Sequence, residues 1–181
     1  SALARAYLQS ELTVDERCAA EAALTVLLDD PSPNVRLALA EALSTSHLAP
    51  IHIVAALASD QPEVASMVLV RSPLLSDTDL IDRVALGSDE VQCAIALRAQ
   101  LSATICAAIA EVGCRQACAA MLQNDGAKVV SLSIRRLVER FGDESGMREL
   151  LLSDPRLPVD GRHALAVKVG EALRGHQECP V

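Results

Sequence analysis

The most conspicuous absence from this chain of 181 residues is the aromatic ring: Tyr7 and Phe141 stand alone, and tryptophan is missing. Yet 51% of the residues are apolar, and alanine and leucine supply most of them. A core without large rings is built from close helix–helix contacts, and Ala and Leu are also strong helix formers. Strand-like alternation bounded by turn residues is absent too, so the fold class is all-α. Clustered basic charge is missing as well. Sixteen Lys and Arg are scattered among 24 Asp and Glu, for a net charge of −8. A duplex-binding face needs massed Lys and Arg to displace counterions, and single strands need stacking platforms. Nucleic acid is therefore not an expected partner, and anionic lipid headgroups would repel this surface.

Other absences exclude specific chemistry. The longest uncharged run, Ala42 to Ser59, contains Ser44, Thr45, Ser46, His47, Pro50 and His52, so it is no spanning helix. No basic segment, apolar segment and cleavage site open the chain. The expected location is cytoplasmic, with no membrane partner. The chain begins at Ser1 rather than Met, which leaves room for a lost upstream segment. Six cysteines (18, 93, 106, 114, 118 and 179) form no CxxC pair. Most sit beside Ala, Ile or Val, where cysteine behaves as a small hydrophobe. Cys114 and Cys118 are one helical turn apart, but further ligands for a shared metal are missing nearby. No cofactor or metal is expected. Phosphate-cradling glycine loops and a zinc helix of the HExxH type are also absent. His47 and His52 lie around the Pro50 corner near Ser44 and Ser46, where hydroxyls and imidazoles are common turn residues. His163 sits beside Arg162, and His176 lies near the end.

What is present is a repeated phrase. A break carrying an acid or proline is followed by a valine and then a helix-length apolar stripe. Val35 opens PNVRLALAEAL, Val64 opens PEVASMVLV and Val91 opens DEVQCAIAL, at steps of 29 and 27 residues. Each phrase is followed by a second apolar stretch, so the unit is a helix pair, and fixed periods of this size signal stacked repeats. The breaks read as helix starts. Thr13-Val14-Asp15-Glu16 is a capping box, and Ser32 with Pro33 opens a helix. Ser76 to Asp79, Ser88 and Ser102 open three more. From Gly87 to Gly113 is 26 residues, so the period persists. Beyond Gly113 the register blurs. Residues 114–123 read as a shortened first helix, and a helix from Lys128-Val129 to Phe141 as its partner. A last pair follows at about 145–153 and 158–173.

The expected architecture is a right-handed α-solenoid of about six antiparallel helix pairs. It forms a single domain over 1–173, with 174–181 a frayed tail leading to a missing C-terminal region. Asp30-Pro31-Ser32-Pro33-Asn34-Val35-Arg36 resembles the opening of a HEAT repeat. PSPNVRLALAEAL, SPLLSDTDL from Ser72 and AIALRAQLS from Ala94 are similar to an alphaproteobacterial family catalogued as domain of unknown function 2336, over roughly residues 14 to 140. That resemblance implies a HEAT-like fold and assigns no activity.

Candidate binding residues follow from the register. Arg71 and Arg98 each stand seven residues after their repeat valine and form an expected basic row, suited to a partner's carboxylates or a phosphate. Arg135 and Arg136, with Arg140, make a second basic spot. For Arg71 and Arg98 the plainer role is bonding carbonyls or an acid of the adjacent hairpin; for Arg135, Arg136 and Arg140 it is a solvated face paired with Glu139 and Asp143. The uncharged helices 51–58 and 102–110 are expected to be the inner ones. With no catalytic constellation in view, the expected function is a non-catalytic protein–protein interaction scaffold, a bacterial regulatory or adaptor module. Its protein partner and oligomeric state are left open. The alternative is a small-molecule-binding sensor or enzyme on a HEAT-like fold, and nucleic-acid binding or repair ranks behind both.

Overall fold

The computed structural model describes residues 2–177, with side chains through residue 170. Twelve α-helices account for most of them. They are α1 (Ala2–Gln9), α2 (Val14–Val26), α3 (Pro33–Leu43), α4 (Ile51–Leu57), α5 (Pro62–Arg71), α6 (Asp77–Leu86), α7 (Asp89–Ala96), α8 (Ala103–Val112), α9 (Arg115–Leu122), α10 (Ser131–Phe141), α11 (Ser145–Ser153) and α12 (Val159–Gln177). A 3-10 turn at Leu27–Asp29 extends α2. Among the described residues there is no strand, only one isolated parallel bridge between Leu101 and Ala127. The protein is all-α.

Breaks in the sequence act as helix starts by identifiable bonds. The Thr13 hydroxyl accepts from the Glu16 N–H, and the Glu16 carboxylate takes the Thr13 N–H at 2.9 Å. Ser76 and Asp79 repeat this reciprocal pattern at the head of α6. The Ser102 hydroxyl accepts from the Ile105 N–H at the head of α8. Pro33 and Pro62 occupy first-turn positions, where the missing N–H costs no helix bond. At the head of α9 the cap is a thiol: Cys114 Sγ accepts from the Ala117 N–H at 3.4 Å.

The chain divides into two compact units, residues 1–83 and 84–181. In the first unit α1 packs on α2 and α3, and α3 packs on α4 and α5. Its interior holds Leu24, Leu39, Leu43, Ile53, Leu57, Val64 and Leu69, all fully buried. In the second unit α7 packs on α9 and α9 on α11, while α8 packs on α10 and α10 on α12. The segment 114–123 thus forms a helix packed between α7 and α11, and α10 packs between α8 and α12. The core there is Ile95, Ile105, Ile109, Met121, Leu137 and Leu151. Alanines 94, 96, 110 and 117 are buried among them, where a short side chain lets helices approach closely.

Three boundaries differ from the sequence reading. The long helix begins at Ser131 rather than Lys128, because residues 127–130 run extended beside Leu101. The Leu101 N–H donates to the Gly126 carbonyl at 3.1 Å, and the Lys128 N–H donates to the Leu101 carbonyl at 3.0 Å. Gly126 is required by this close approach, since a Cβ there would lie 1.9 Å from the Ala99 carbonyl oxygen. Helix α7 ends at Ala96 instead of Ala99, because the Asn124 amide takes the carbonyls of Ala96 (2.9 Å) and Arg98 (2.7 Å). Helix α12 continues through Gln177, four residues into the segment 174–181 expected to fray; residues 178–181 lie outside the described residues.

Asn124 belongs to a series of side chains that cover the exposed carbonyls at helix ends. The last four carbonyls of any α-helix lack partners within it. Arg83 donates to the Ala58 and Ala55 carbonyls at 2.5 and 3.3 Å, closing the end of α4. Arg140 closes α8 through Ala110 and Gly113, both at 2.7 Å. Arg156 closes α9 through Leu122 at 2.8 Å and also reaches the Ala127 carbonyl at 3.3 Å. Arg36 takes the Asp30 carbonyl after the 3-10 turn and forks onto Asp60, at 2.5 and 3.0 Å, across the next break. A guanidinium suits this position, being permanently charged, planar and attracted to the negative helix end. Hydrogen bonds to charged groups contribute about 1.5–3 kcal/mol. Arg83→Met, which keeps the stem and removes the donors, is expected to lower stability by about that amount. Urea denaturation of the full chain measures it; an unchanged midpoint would show that water replaces the cap without loss.

Candidate functional site

Because α10 lies between α8 and α12, these three helices carry a continuous set of outward residues on the second unit. Several of the charges on them pair with one another. Arg136 pairs with Glu111 of α8 at 2.8 Å and with Glu139 of its own helix at 3.1 Å. Arg135 pairs with Asp160 of α12 at 2.7 Å. Both candidate arginines of α10 therefore bridge neighbouring helices; of the partners expected from the sequence, Glu139 pairs with Arg136, while Asp143 pairs with Lys168. Each of these arginine bridges is about half exposed, where such pairs contribute little to stability. Large apolar side chains border the pairs: Leu132, one turn before Arg135, is 73% exposed, and Val159, next to Asp160, is 84% exposed.

Arg71 and Arg98 do not share a seat. Arg71 is the last residue of α5 in the first unit and is exposed. Arg98 lies two residues beyond the end of α7 in the second unit, half-buried, with its carbonyl bound by Asn124. The shortening of α7 by that amide breaks the expected equivalence. Of the two helices expected to be inner, α4 buries Ile53, Val54 and Leu57, and α8 buries Ile105, Cys106, Ile109 and Ala110. Core packing accounts for most of their bareness. Ile51, His52 and Ala56 of α4, and Thr104, Ala107 and Val112 of α8, remain exposed.

A shallow cleft lies between α9 and α11. Two adjoining hollows, of about 500 and 350 Å³, share Gln123, Leu150 and Ser153. Arg115 stands at one end, paired with Glu144 at 2.9 Å, and Arg156 with Asp154 at the other, at 2.8 Å. Two of its polar groups are engaged: the Ser153 hydroxyl donates to the Leu150 carbonyl, and Arg156 is the cap of α9. No nucleophile–base pair is assembled there. His47, His52 and His163 are exposed elsewhere, and the side chain of His176 lies outside the described residues. Ser44 donates back to Glu41, and Ser46 accepts from the Leu48 N–H, so the Pro50 corner is a turn held by its own hydroxyls.

The cysteines divide by environment. Cys106 and Cys118 are buried, and desolvation pushes both thiols up to about 11. Cys118 Sγ donates to the Ile109 carbonyl at 3.3 Å. Cys93 and Cys114 are half-buried with their sulfurs 3.9 Å apart. Cys18 is exposed, and Cys179 lies outside the described residues. Among the described residues no group of three or more His, Cys, Asp or Glu side chains is placed to hold a metal ion, and no helix is long and apolar enough to cross a membrane.

The sequence profile of a bacterial family, described as "Uncharacterised protein conserved in bacteria (DUF2336)", matches residues 64–177. The chain belongs to this family. The match starts later and ends later than the resemblance read from the sequence over 14 to 140; it covers α5 onwards and so includes the faces of α8, α10 and α12 and the α9–α11 cleft. No curated protein and no solved structure matches the chain.

Sequence reasoning missed the helix-end caps Arg83, Asn124, Arg140 and Arg156, and the facing thiols. A signal for the caps was present in the spacing, since Arg83, Asn124 and Arg140 stand 25, 28 and 27 residues after a carbonyl each one binds. Asp154, buried beneath Arg156, shows their electrostatic consequence. Burial alone would raise its pKa, but the Arg156 fork outweighs burial and holds the carboxyl below the usual range. A carboxylate held low in the folded state contributes stability above its unfolded pKa, near 4, and loses it as pH falls through the lower folded value. Asp60, held low by the Arg36 fork, acts in the same direction. Urea midpoints are therefore expected to fall between pH 5 and 2 in the parent protein, and less steeply in Asp154→Asn. An equal slope in the two would assign acid sensitivity to other groups.

Proposed function

We propose that the chain is a HEAT-like α-solenoid acting as a non-catalytic interaction scaffold, a bacterial regulatory or adaptor module working in the cytoplasm. The observation that carries the reading is the outer face of α8, α10 and α12. Leu132 and Val159 are exposed beside the Arg135–Asp160 and Arg136–Glu111 pairs, a mixture of apolar contact and mobile charge typical of partner surfaces. Stacking of α8 on α10 on α12, and of α7 on α9 on α11, supports a repeat array, whose extended surface binds partners without an enclosed pocket. A protein segment carrying an apolar anchor and carboxylates would engage Leu132 and Val159 while competing for Arg135 and Arg136. Arg71, exposed at the end of α5, is a further charged position for such contacts, and Arg98 a weaker one.

Two other readings fit less well. A small-molecule sensor or enzyme would use the α9–α11 cleft, but it is shallow, and Arg115, Ser153 and Arg156 in it already serve helix ends and ion pairs. Nucleic-acid binding lacks both the basic face and the stacking rings.

The test is affinity capture from the native bacterium with the full chain and with a Leu132→Asp, Val159→Asp double variant of unchanged helicity. The parent chain is expected to retain a stoichiometric protein that the variant loses by about tenfold or more, the scale on which buried apolar anchors act. Equal capture by both, or capture by neither, would remove this face from the proposal.

A further inference from the structure

Two thiols face each other where α7 meets α9. Cys93, in the interior of α7, and Cys114, the cap residue of α9, place their sulfurs 3.9 Å apart. A disulfide needs about 2.05 Å, a gap that rotation of two short side chains closes in large part. The backbone of the pair is already fastened. The Gln92 amide nitrogen donates to the Val84 carbonyl at 2.8 Å, and its oxygen accepts the Cys114 N–H at 2.6 Å. Gln92 adjoins Cys93, so one buried side chain ties the Cys114 backbone to the turn of α7 that carries the other thiol. Both sulfurs are half-buried, within reach of a small oxidant. The fully buried Cys118 is engaged with the Ile109 and Gly113 carbonyls instead.

We propose that Cys93 and Cys114 are a reversible dithiol–disulfide pair, oxidised by a hydroperoxide, whose closure locks α7 to the head of α9. Cys114 attacks first. Its sulfur stands at the head of α9, where it accepts from the Ala117 N–H. The Cys114 thiolate bonds to one peroxide oxygen as the O–O bond breaks, giving a sulfenic acid and releasing an alcohol, or water from hydrogen peroxide. The Cys93 sulfur then attacks the Cys114 sulfur and expels hydroxide, which leaves as water with the Cys93 proton. Two thiols lose two electrons and two protons, and the peroxide bond receives them. Burial, and the neighbouring Cys114, push the Cys93 thiol up to about 11, consistent with its acting second. A low-molecular-weight thiol reverses the step by exchange. Only the reduced form keeps the Cys114–Ala117 cap, which favours reversal.

Mass spectrometry of the full chain tests this directly. The reduced protein is treated with stoichiometric hydrogen peroxide, remaining thiols are blocked with N-ethylmaleimide, and trypsin is added. Cys93 then lies in peptide 84–98 and Cys114 in peptide 99–115, which also carries Cys106. The expected product is 84–98 joined to 99–115, intact in Cys106→Ser, absent in Cys93→Ser and Cys114→Ser, and removed by reduced glutathione. Thiol loss at Cys93 and Cys114 is expected about tenfold faster than at exposed Cys18, which has no facing thiol among the described residues. The oxidised parent is also expected to unfold at a higher temperature than the reduced parent, a difference missing in Cys114→Ser. The proposal is overturned if Cys114 proceeds to sulfinic acid without the joined peptide. It is equally overturned if the joined peptide survives in Cys114→Ser or if oxidation leaves the unfolding temperature unchanged.

Discussion

Short helices end often, and every end leaves carbonyls that must find donors or water. In this protein the donors come from side chains far along the chain. Arg83 serves α4, Asn124 serves α7, Arg140 serves α8 and Arg156 serves α9. Each bond closes a helix and also fixes a distant segment against it, so local termination and tertiary packing are one event. The same interaction sets the length of α7, since the Asn124 amide holds the turn that ends it at Ala96. With hardly any rings to interlock, the core of Ala, Leu, Ile and Val depends on these polar fastenings for register.

This use of cations shapes the surface. Arg36, Arg83, Arg140 and Arg156 face carbonyls or buried carboxylates, and Arg135 and Arg136 face acids on neighbouring helices. These six arginines of the described residues are already engaged within the protein. What the outer face of α8, α10 and α12 offers is exposed Leu132 and Val159 beside charge pairs that a partner's own acids and bases can exchange with. The proposed choice of a protein partner over a polyanion rests on where these arginines are already committed.

The all-α class and most helix starts were legible in the sequence because they rest on local chemistry. Thr13 with Glu16, Ser76 with Asp79, and Pro33 or Pro62 in a first turn are short-range pairings that a linear reading finds. A short helix within residues 114–123 was legible from its apolar pattern and the turn at Asn124-Asp125-Gly126. The end of α7 was not, because Asn124, 28 residues away, decides it. For the same reason the matched seats of Arg71 and Arg98 dissolved: equal spacing from a valine means equal positions only while both helices last long enough. The lengthened gap before α10 hid a bridge at Leu101 and Ala127, made by backbone groups with no sequence signature beyond Gly126. The facing thiols were likewise invisible, as Cys93 and Cys114 are 21 residues apart and meet only when α9 stacks on α7.

The central claim is that a single side chain holds both a helix end and the helix packed against it. Amide hydrogen exchange on Arg140→Met, followed residue by residue, tests it most directly. Removing this donor is predicted to lower protection in the last turn of α8 and in α10 together, to the same extent, while α3 and α5 of the first unit keep theirs. Loss confined to the α8 end, with α10 unchanged, would show that the cap closes a helix without fastening its neighbour, and would contradict the account.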